Sequence, residues 1–223
     1  MQYPVNEIFE TLQGEGFYTG VPAVFLRLQG CPVGCAWCDT KHTWHCDPEL
    51  KVDAEQVIGV SGDKGHWSQW PLSALVAHLT SGQYTARQLV ITGGEPCLYD
   101  LTPLTEAMSE AGWQCQIETS GCFQVRCDAN TWVTVSPKEG MKGGLAIQPQ
   151  ALTRANEIKY PVATEQHIDN LKALLATLPD GATPVVALQP ISQRPRATKL
   201  CIEQCIANNW RLSAQVHKYL QID

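Results

Sequence analysis

Short apolar stretches of β-strand length recur along the 223-residue chain and alternate with stretches that have helical spacing. The segments predicted as strands are 22–29, 88–92, 115–119, 131–135, 157–162, 184–191 and 210–216. Apolar residues at helical spacing predict helices near 72–79, 101–111, 168–178 and 200–206. Strands that alternate with helices indicate βαβ units and a largely parallel sheet, so the predicted fold class is α/β.

The stretch 41–83 interrupts this alternation, because its periodicity is weak and Gly, Asp and His are scattered through it. We expect it to be an insertion between the first and second βα units. The chain is long enough for one substantial core, and a single domain over residues 1–223 is therefore predicted.

Composition limits the possible functions. The net charge of −6 argues against a nucleic-acid partner, which would need clustered Lys and Arg. No apolar run approaches the ~20 residues that span a bilayer, and the N-terminus lacks the pattern of a signal peptide, so we expect a cytoplasmic protein without a membrane partner. In a reducing compartment the ten cysteines indicate metal or redox chemistry rather than disulfides.

Three of these cysteines, Cys31, Cys35 and Cys38, form a C-x3-C-x2-C triplet directly after the strand predicted at 22–29. Structural zinc and ordinary iron–sulfur clusters are held by four protein ligands. Three thiolates in one loop therefore predict a cluster with one iron open to another ligand. Zinc is the alternative, with His42 and His45 as candidates to complete the site. The other cysteines are not expected to form a second cluster.

Polar and Gly-rich segments follow several predicted strands, at the edge where parallel sheets place their working residues. The segment 93–96 has the sequence Gly-Gly-Glu-Pro and directly follows the strand at 88–92. Its backbone carbonyls and Glu95 could accept hydrogen bonds from an ammonium group. Taken alone, the segment is also compatible with a simple tight βα turn.

Together these two motifs resemble the signature of the radical S-adenosylmethionine superfamily, in which an aromatic residue such as Trp37 precedes the last cysteine of the triplet. The resemblance implies a 4Fe–4S cluster on three thiolates, with S-adenosylmethionine bound to the fourth iron. One electron from the cluster then releases a 5′-deoxyadenosyl radical, which takes a hydrogen atom from the substrate. No side chain is therefore assigned as a catalytic acid or base.

Further segments narrow the resemblance to the 7-carboxy-7-deazaguanine synthase family. They are 11–16, 38–40, 117–121, 135–138 and 215–220. The family resemblance implies a small, incomplete (β/α)6-type barrel, a homodimer and a flavodoxin-type electron donor. It also implies a carbon–nitrogen lyase of queuosine biosynthesis, which converts 6-carboxy-5,6,7,8-tetrahydropterin to 7-carboxy-7-deazaguanine with loss of ammonia and is assisted by Mg²⁺.

The same resemblance implies two sets of site residues. The cofactor set would surround the cluster and S-adenosylmethionine and comprises Trp37, Cys38, Asp39, Gly94, Ser136, Pro137, Lys138, Gln189, Pro190, Ile191 and Ser192. The substrate set would contact the pterin and comprises Leu12, Gln13, Gly14, Glu15, Arg27, Thr92, Glu118, His217 and, through the terminal carboxylate, Asp223.

For some of these residues a structural role is the alternative. Arg27 would bind the substrate carboxylate, which its planar fork suits, or would pair with Glu7 or Glu15. Thr40 would place its hydroxyl on Mg²⁺ or would cap a helix. His217 would face the substrate or make a structural hydrogen bond.

Two other functions are compatible with the cysteine triplet. A glycyl-radical-enzyme activase uses the same triplet on a chain of similar length, but it would lack the ends at 12–14 and 217–218 that are expected to face the pterin. A non-catalytic zinc or iron–sulfur binding module is the other alternative.

Overall fold

The computed structural model describes residues 1–59 and 64–222 of the chain. Within these residues a single sheet contains nine strands. They are β1 (Gln2–Leu12), β2 (Pro22–Leu28), β3 (Ser68–Pro71), β4 (Gln88–Gly93), β5 (Gln114–Thr119), β6 (Trp132–Val135), β7 (Glu157–Val162), β8 (Val185–Pro190) and β9 (Arg211–Leu212). The α-helices are α1 (Leu72–Leu79), α2 (Thr102–Glu110), α3 (Pro149–Arg154), α4 (Glu165–Leu175), α5 (Pro195–Asn208) and α6 (Val216–Leu220).

The strand order is β3-β1-β2-β4-β5-β6-β7-β8-β9. Neighbouring strands from β2 to β9 pair in parallel, whereas β1 pairs antiparallel with both β2 and β3. The α/β class and the largely parallel sheet are thus confirmed. Parallel pairing brings the carboxyl ends of these strands to one edge, where the functional residues were expected.

Most predicted elements are present, and the agreement is best where apolar periodicity is strong. The strand at 157–162 and the helix at 72–79 have the predicted bounds. The strand predicted at 210–216 is wrong beyond its first residues. Ser213 N donates to Leu188 O, after which the chain leaves the sheet, and Val216 N donates to Gly14 O as α6 begins.

Strand β1 was not predicted, although the residues from Tyr3 to Phe9 are buried. Polar residues interrupt the apolar pattern of β1, and they can be buried there because they have hydrogen-bonding or charged partners inside the protein. Asn6 Nδ2, for example, donates to His66 O at 2.8 Å.

The stretch 41–83 lies between β2 and β4, as expected, but it is part of the sheet rather than an addition to it. It contains the 3-10 helices Lys41–Thr43, Pro48–Leu50 and Ala54–Val57, followed by β3 and α1. Its strand β3 pairs with β1. Gln29, fully buried at the end of β2, donates through Nε2 to His42 O and His45 O at 3.0 and 2.7 Å. The insertion is therefore anchored directly beside the cysteine loop.

Two central strands present one apolar and one polar face. In β5, Ile117 is buried in the core while Gln116 and Glu118 lie on the opposite face. In β7, Ile158 packs in the core, and Lys159 shares the polar face with its neighbours. The polar face of the sheet is turned toward the carboxyl-end cavities. None of the helices in residues 1–59 and 64–222 has the length and apolar character that a membrane span requires.

Candidate active site

Two adjoining cavities open at the carboxyl ends of the parallel strands. The cysteine cavity is walled by the loop of Cys31, Cys35 and Cys38 and by the segments that follow β4, β5, β6 and β8. The Arg27 cavity lies beside it, against β1 and β2. The walls of both cavities share Glu15, Asp39, Thr92, Gly93, Glu118 and Lys159.

The two predicted residue sets lie mainly in different cavities, although Asp39 of the cofactor set and Glu15, Thr92 and Glu118 of the substrate set line both. The members of the cofactor set that line the cysteine cavity are Trp37, Cys38, Asp39, Gly94, Ser136, Lys138, Gln189, Pro190, Ile191 and Ser192. The members of the substrate set that line the Arg27 cavity are Leu12, Gln13, Gly14, Glu15, Arg27, Thr92, Glu118 and His217. Pro137 is buried and does not contribute to either wall, and Asp223 lies outside the described residues.

The cysteine loop is held by backbone hydrogen bonds from the insertion. Gly30 N donates to Thr43 O at 2.7 Å, and Cys31 N donates to Trp44 O at 3.0 Å. Burial raises the pKa of the Cys31 thiol to about 11 and also raises that of Cys35. These thiols are therefore protonated at neutral pH, and a metal that binds them must displace their protons.

The three cysteines of the loop are neighbours in the wall of the cysteine cavity. Among residues 1–59 and 64–222, no three His, Cys, Asp or Glu side chains converge closely enough to hold one ion. The cysteines are nevertheless neighbours, since negative charge on Cys35 and Cys38 contributes to the raised pKa of Cys31. A 4Fe–4S cluster binds each thiolate through a different iron and so needs its ligands further apart than one zinc ion does.

A fourth cysteine lies at the same place, which was not predicted. Cys122, in the loop after β5, is buried in a small apolar cluster with Val33 and Cys35, and Cys31 and Cys38 pack against it. The spacing of Cys122 along the chain carries no signal of this proximity.

The Gly-Gly-Glu-Pro segment is shaped first by contacts within the protein. A Cβ atom on Gly93 would overlap Leu28 O, and one on Gly94 would overlap Gly30 O, so both glycines are required by the close approach of the backbone that precedes the cysteine loop. The Glu95 carboxylate is buried and accepts hydrogen bonds from Cys97 N at 2.9 Å and Thr119 Oγ1 at 2.6 Å.

These bonds change the role expected for Glu95. Its second carboxylate oxygen accepts hydrogen bonds from the backbone and hydroxyl of Ser120. The carboxylate thus fixes the loop after β5 instead of standing free to receive an ammonium group. Backbone carbonyls of the segment remain the better acceptors for such a group.

For Arg27 and Thr40 the structure shows whether the alternative structural role, an ion pair or a helix cap, is present. Arg27 Nε donates to Glu7 Oε1 at 2.6 Å, so the predicted structural ion pair exists while the side chain also lines the Arg27 cavity. Thr40 is the N-cap residue directly before the 3-10 helix Lys41–Thr43, but its side chain makes no capping hydrogen bond. Its hydroxyl instead lies 3.6 Å from Cys38 Sγ, on the wall of the Arg27 cavity.

A buried ion-pair cluster joins the two cavities. Lys159 Nζ lies 2.6 Å from Glu15 Oε2 and 2.9 Å from Glu118 Oε2, and its side chain is only 6% exposed. Lys159 was not among the predicted site residues. A signal was present, because polar residues alternate with apolar ones along both 114–119 and 157–162, and parallel neighbours with this pattern line a common polar interior.

The cluster sets unusual protonation states. Burial would raise the pKa of Glu15, but the charge of Lys159 and several hydrogen bonds outweigh burial and lower this pKa to about 2. Burial raises the pKa of Glu118 to about 7, against the opposing charge of Lys159. Burial also disfavours the charged form of Lys159, but the two carboxylates raise its pKa above the ordinary value. Glu15 is therefore ionised at neutral pH and can only accept hydrogen bonds, while Glu118 can gain or lose a proton near neutral pH.

The C-terminal helix completes the Arg27 cavity. Val216 N donates to Gly14 O at 2.9 Å, and a Cβ atom on Gly14 would overlap the ring of His217. Glycine at this position therefore allows the imidazole to lie against the loop that follows β1. Burial lowers the pKa of His217, so the ring is neutral at physiological pH.

Comparison with known proteins identifies the family. No family model matches the chain. The chain is 58% identical over its full length to the 7-carboxy-7-deazaguanine synthase of Escherichia coli (strain K12) and 45% identical over its full length to that of Buchnera aphidicola, and both relatives are also covered in full. The crystal structure of QueE from Escherichia coli matches 97% of this chain and 95% of that chain, at 57% identity and a TM-score of 0.94. The predicted family is thus confirmed: the chain belongs to the 7-carboxy-7-deazaguanine synthase family of radical S-adenosylmethionine enzymes.

Proposed function

We propose that this chain converts 6-carboxy-5,6,7,8-tetrahydropterin to 7-carboxy-7-deazaguanine with loss of ammonia, and that the reaction takes place where the two cavities meet. The proposal rests on the division of the site into two adjoining cavities. Three cysteines lie in one wall of the cysteine cavity, a paired arginine lies in the Arg27 cavity, and the Glu15–Lys159–Glu118 cluster borders both. A cofactor and a carboxylated substrate could thus be held against each other.

In this proposal, Cys31, Cys35 and Cys38 hold a 4Fe–4S cluster, which the family implies together with S-adenosylmethionine. When bound, these two groups supply a 5′-deoxyadenosyl radical for hydrogen abstraction. The S-adenosylmethionine site would be formed by Gly94, by the segment 136–138 and by the segment 189–192. Lys138 Nζ donates to Ser136 Oγ at 2.6 Å, which fixes part of this wall.

The substrate site would use the charges of the Arg27 cavity. The guanidinium of Arg27, held at Nε by Glu7, would bind the pterin carboxylate. The ionised Glu15 would accept hydrogen bonds from N–H groups of the pterin, next to backbone contacts from Leu12 to Gly14. Glu118, whose pKa is about 7, would hold or release a proton beside the substrate, opposite the neutral ring of His217.

Mg²⁺ would be bound through the hydroxyl of Thr40, with the substrate supplying further oxygen ligands. Three features support this position: Thr40 lines the Arg27 cavity, its hydroxyl lies 3.6 Å from Cys38 Sγ, and the hydroxyl makes no capping hydrogen bond.

The remaining proposals concern the whole molecule. The parallel strands β2 and β4 to β8 would form an incomplete (β/α)6-type barrel within a single domain, and the enzyme would act as a homodimer. A flavodoxin-type protein would supply the electron. Free thiols at the site fit a reducing compartment, the cytoplasm. Sedimentation of the purified protein tests the dimer.

The function is tested by anaerobic reconstitution with iron and sulfide, followed by an assay with S-adenosylmethionine, a chemical reductant and carboxytetrahydropterin. We expect 7-carboxy-7-deazaguanine to form without any partner protein as substrate. A glycyl-radical-enzyme activase, which the family assignment does not favour, would instead require a protein loop. Absence of product from a brown, cluster-loaded protein would contradict the proposal.

A further inference from the structure

Gln215 joins residues from both cavities. Its Nε2 donates to Glu15 Oε1 at 2.8 Å, on the shared wall. Its backbone O accepts a hydrogen bond from Gln193 Nε2 at 3.3 Å, in the turn that follows β8. Gln215 itself is only 7% exposed and lines the cysteine cavity. Gln215 therefore connects the carboxylate proposed to hold the pterin with the turn proposed to hold S-adenosylmethionine. Gln189 Nε2, at the end of β8, donates to the same Glu15 oxygen in a longer hydrogen bond of 3.3 Å.

The turn at the far end of this connection has an unusual backbone. Ser192 and Gln193 are consecutive non-glycine residues with φ of 54° and 51°. Residues with a Cβ atom rarely adopt this left-handed conformation, and surrounding contacts must hold them in it. The hydrogen bond from Gln193 to Gln215 is such a contact. The shape of the wall at Ser192 therefore depends on the position of Gln215.

A third contact ties Gln215 to the cysteine loop. Its Oε1 accepts a hydrogen bond from Lys218 Nζ at 2.9 Å, and the same Nζ lies 3.7 Å from Asp39 Oδ2. Asp39 directly follows Cys38 in the chain. Gln215 thus contacts, directly or through one residue, the cysteine loop, the turn after β8 and the pterin side of the site.

We propose that Gln215 is a positioning residue that makes the binding of S-adenosylmethionine and pterin cooperative. S-adenosylmethionine in the cysteine cavity fixes the turn at 191–193, and Gln215 transmits this order to the Glu15 carboxylate. Because coupling between two ligands is reciprocal, each ligand must increase the affinity of the other by the same factor. We expect this factor to be roughly fivefold or more. The inference rests on the proposed function and assigns to Gln215 a role in it.

The experiment is isothermal titration of reconstituted enzyme with S-adenosylmethionine, under anaerobic conditions and without reductant so that no turnover occurs. Titrations with and without saturating carboxytetrahydropterin give the coupling factor. Gln215→Met keeps the size of the side chain but removes its two side-chain hydrogen bonds, to Glu15 and Lys218. We expect the coupling factor to fall below about twofold. Gln166→Met, on the exposed surface of α4, is the matched control and should retain the wild-type factor.

Gln193→Met tests the other end of the connection, because it leaves the contacts of Glu15 intact. The Gln193→Met variant should also abolish the coupling between the two ligands. If Gln215→Met does not fold, the result for Gln193→Met alone tests the proposal. A wild-type factor below twofold, or an unchanged factor in a folded Gln215→Met or Gln193→Met variant, overturns the proposal. If product forms but binding is not coupled, only this inference fails. If neither ligand binds and no product forms, the proposed function itself fails.

Discussion

Lys159→Met should destabilise the fold strongly, because it removes the ammonium group that contacts both Glu15 and Glu118. Lysine and methionine side chains have similar shapes, so the change mainly deletes the ammonium group. Its contacts at 2.6 and 2.9 Å are buried, with side-chain exposures of 6% for Lys159, 18% for Glu15 and 14% for Glu118. Removing one partner of a buried ion pair costs about 3–5 kcal/mol, which we expect in the free energy of unfolding at pH 8.

The loss should depend on pH. In the wild type the pKa of Glu15 is lowered to about 2, so its contribution to stability is present above the ordinary carboxyl pKa and is lost as pH falls toward 2. Without Lys159, the main force that opposes burial is gone, although Gln215 still donates to Glu15, and we expect burial to raise the pKa of both carboxyl groups above their unfolded values. The variant therefore loses stability as pH rises through those raised pKa values. The difference from wild type should be largest at pH 8 and clearly smaller at pH 5.5.

Anaerobic urea denaturation followed by tryptophan fluorescence measures this difference. Lys199→Met is the matched control, because Lys199 makes only an exposed pair with Glu203 at 3.8 Å and should change stability little. If Lys159→Met costs no more than Lys199→Met, or if its cost is the same at both pH values, the assignment of a buried ion-pair cluster is refuted.

Three further predictions concern the site. Cys35→Ala should abolish cluster assembly, measured as iron content and visible absorbance, while the protein stays folded; full iron loading would remove Cys35 from the ligand set. Thr40→Ala should lose the stimulation by Mg²⁺ selectively, and an unchanged Mg²⁺ titration of activity would exclude Thr40 as a ligand. As pH rises through about 7, ionisation of Glu118 adds a negative charge, so the affinity for the carboxylated substrate should fall several-fold, roughly within the tenfold that one pKa unit represents. Glu118→Gln should flatten this pH dependence of KM, and an unaltered slope would show that another group titrates.

Much of the fold could be predicted because apolar periodicity survives in the parallel strands. Strand β7 and helix α1 have the predicted bounds, since apolar residues recur at every second position of β7 and the buried Leu75 and Leu79 of α1 lie one helical turn apart. Strand β1 was missed because buried Asn6 and Glu7 interrupt its apolar pattern. Both have partners far away in the chain, as in the hydrogen bond from Asn6 Nδ2 to His66 O and the ion pair of Glu7 with Arg27, and local periodicity does not reveal such partners.

In the candidate site, too, local sequence does not reveal contacts between distant segments. The residues assigned by motif are gathered in the two cavities, but Lys159 and Gln215 act through contacts between distant segments. Lys159 meets Glu15 across 144 positions of the chain, and Gln215 meets Glu15 across 200. The role of Glu95 was also misjudged, because its acceptors are used by the loop after β5. Local sequence indicates which residues are polar and where strands end, but only the assembled sheet determines their partners.

The most direct measurement of the central claim is mass spectrometric detection of 7-carboxy-7-deazaguanine after anaerobic reconstitution, with carboxytetrahydropterin, S-adenosylmethionine, Mg²⁺ and reductant. The two-cavity arrangement predicts sustained product formation by the wild type, none by Cys35→Ala and a strongly raised KM for Arg27→Met, which removes the fork for the substrate carboxylate. The account is contradicted if cluster-loaded wild-type enzyme cleaves S-adenosylmethionine but leaves the carboxytetrahydropterin unchanged.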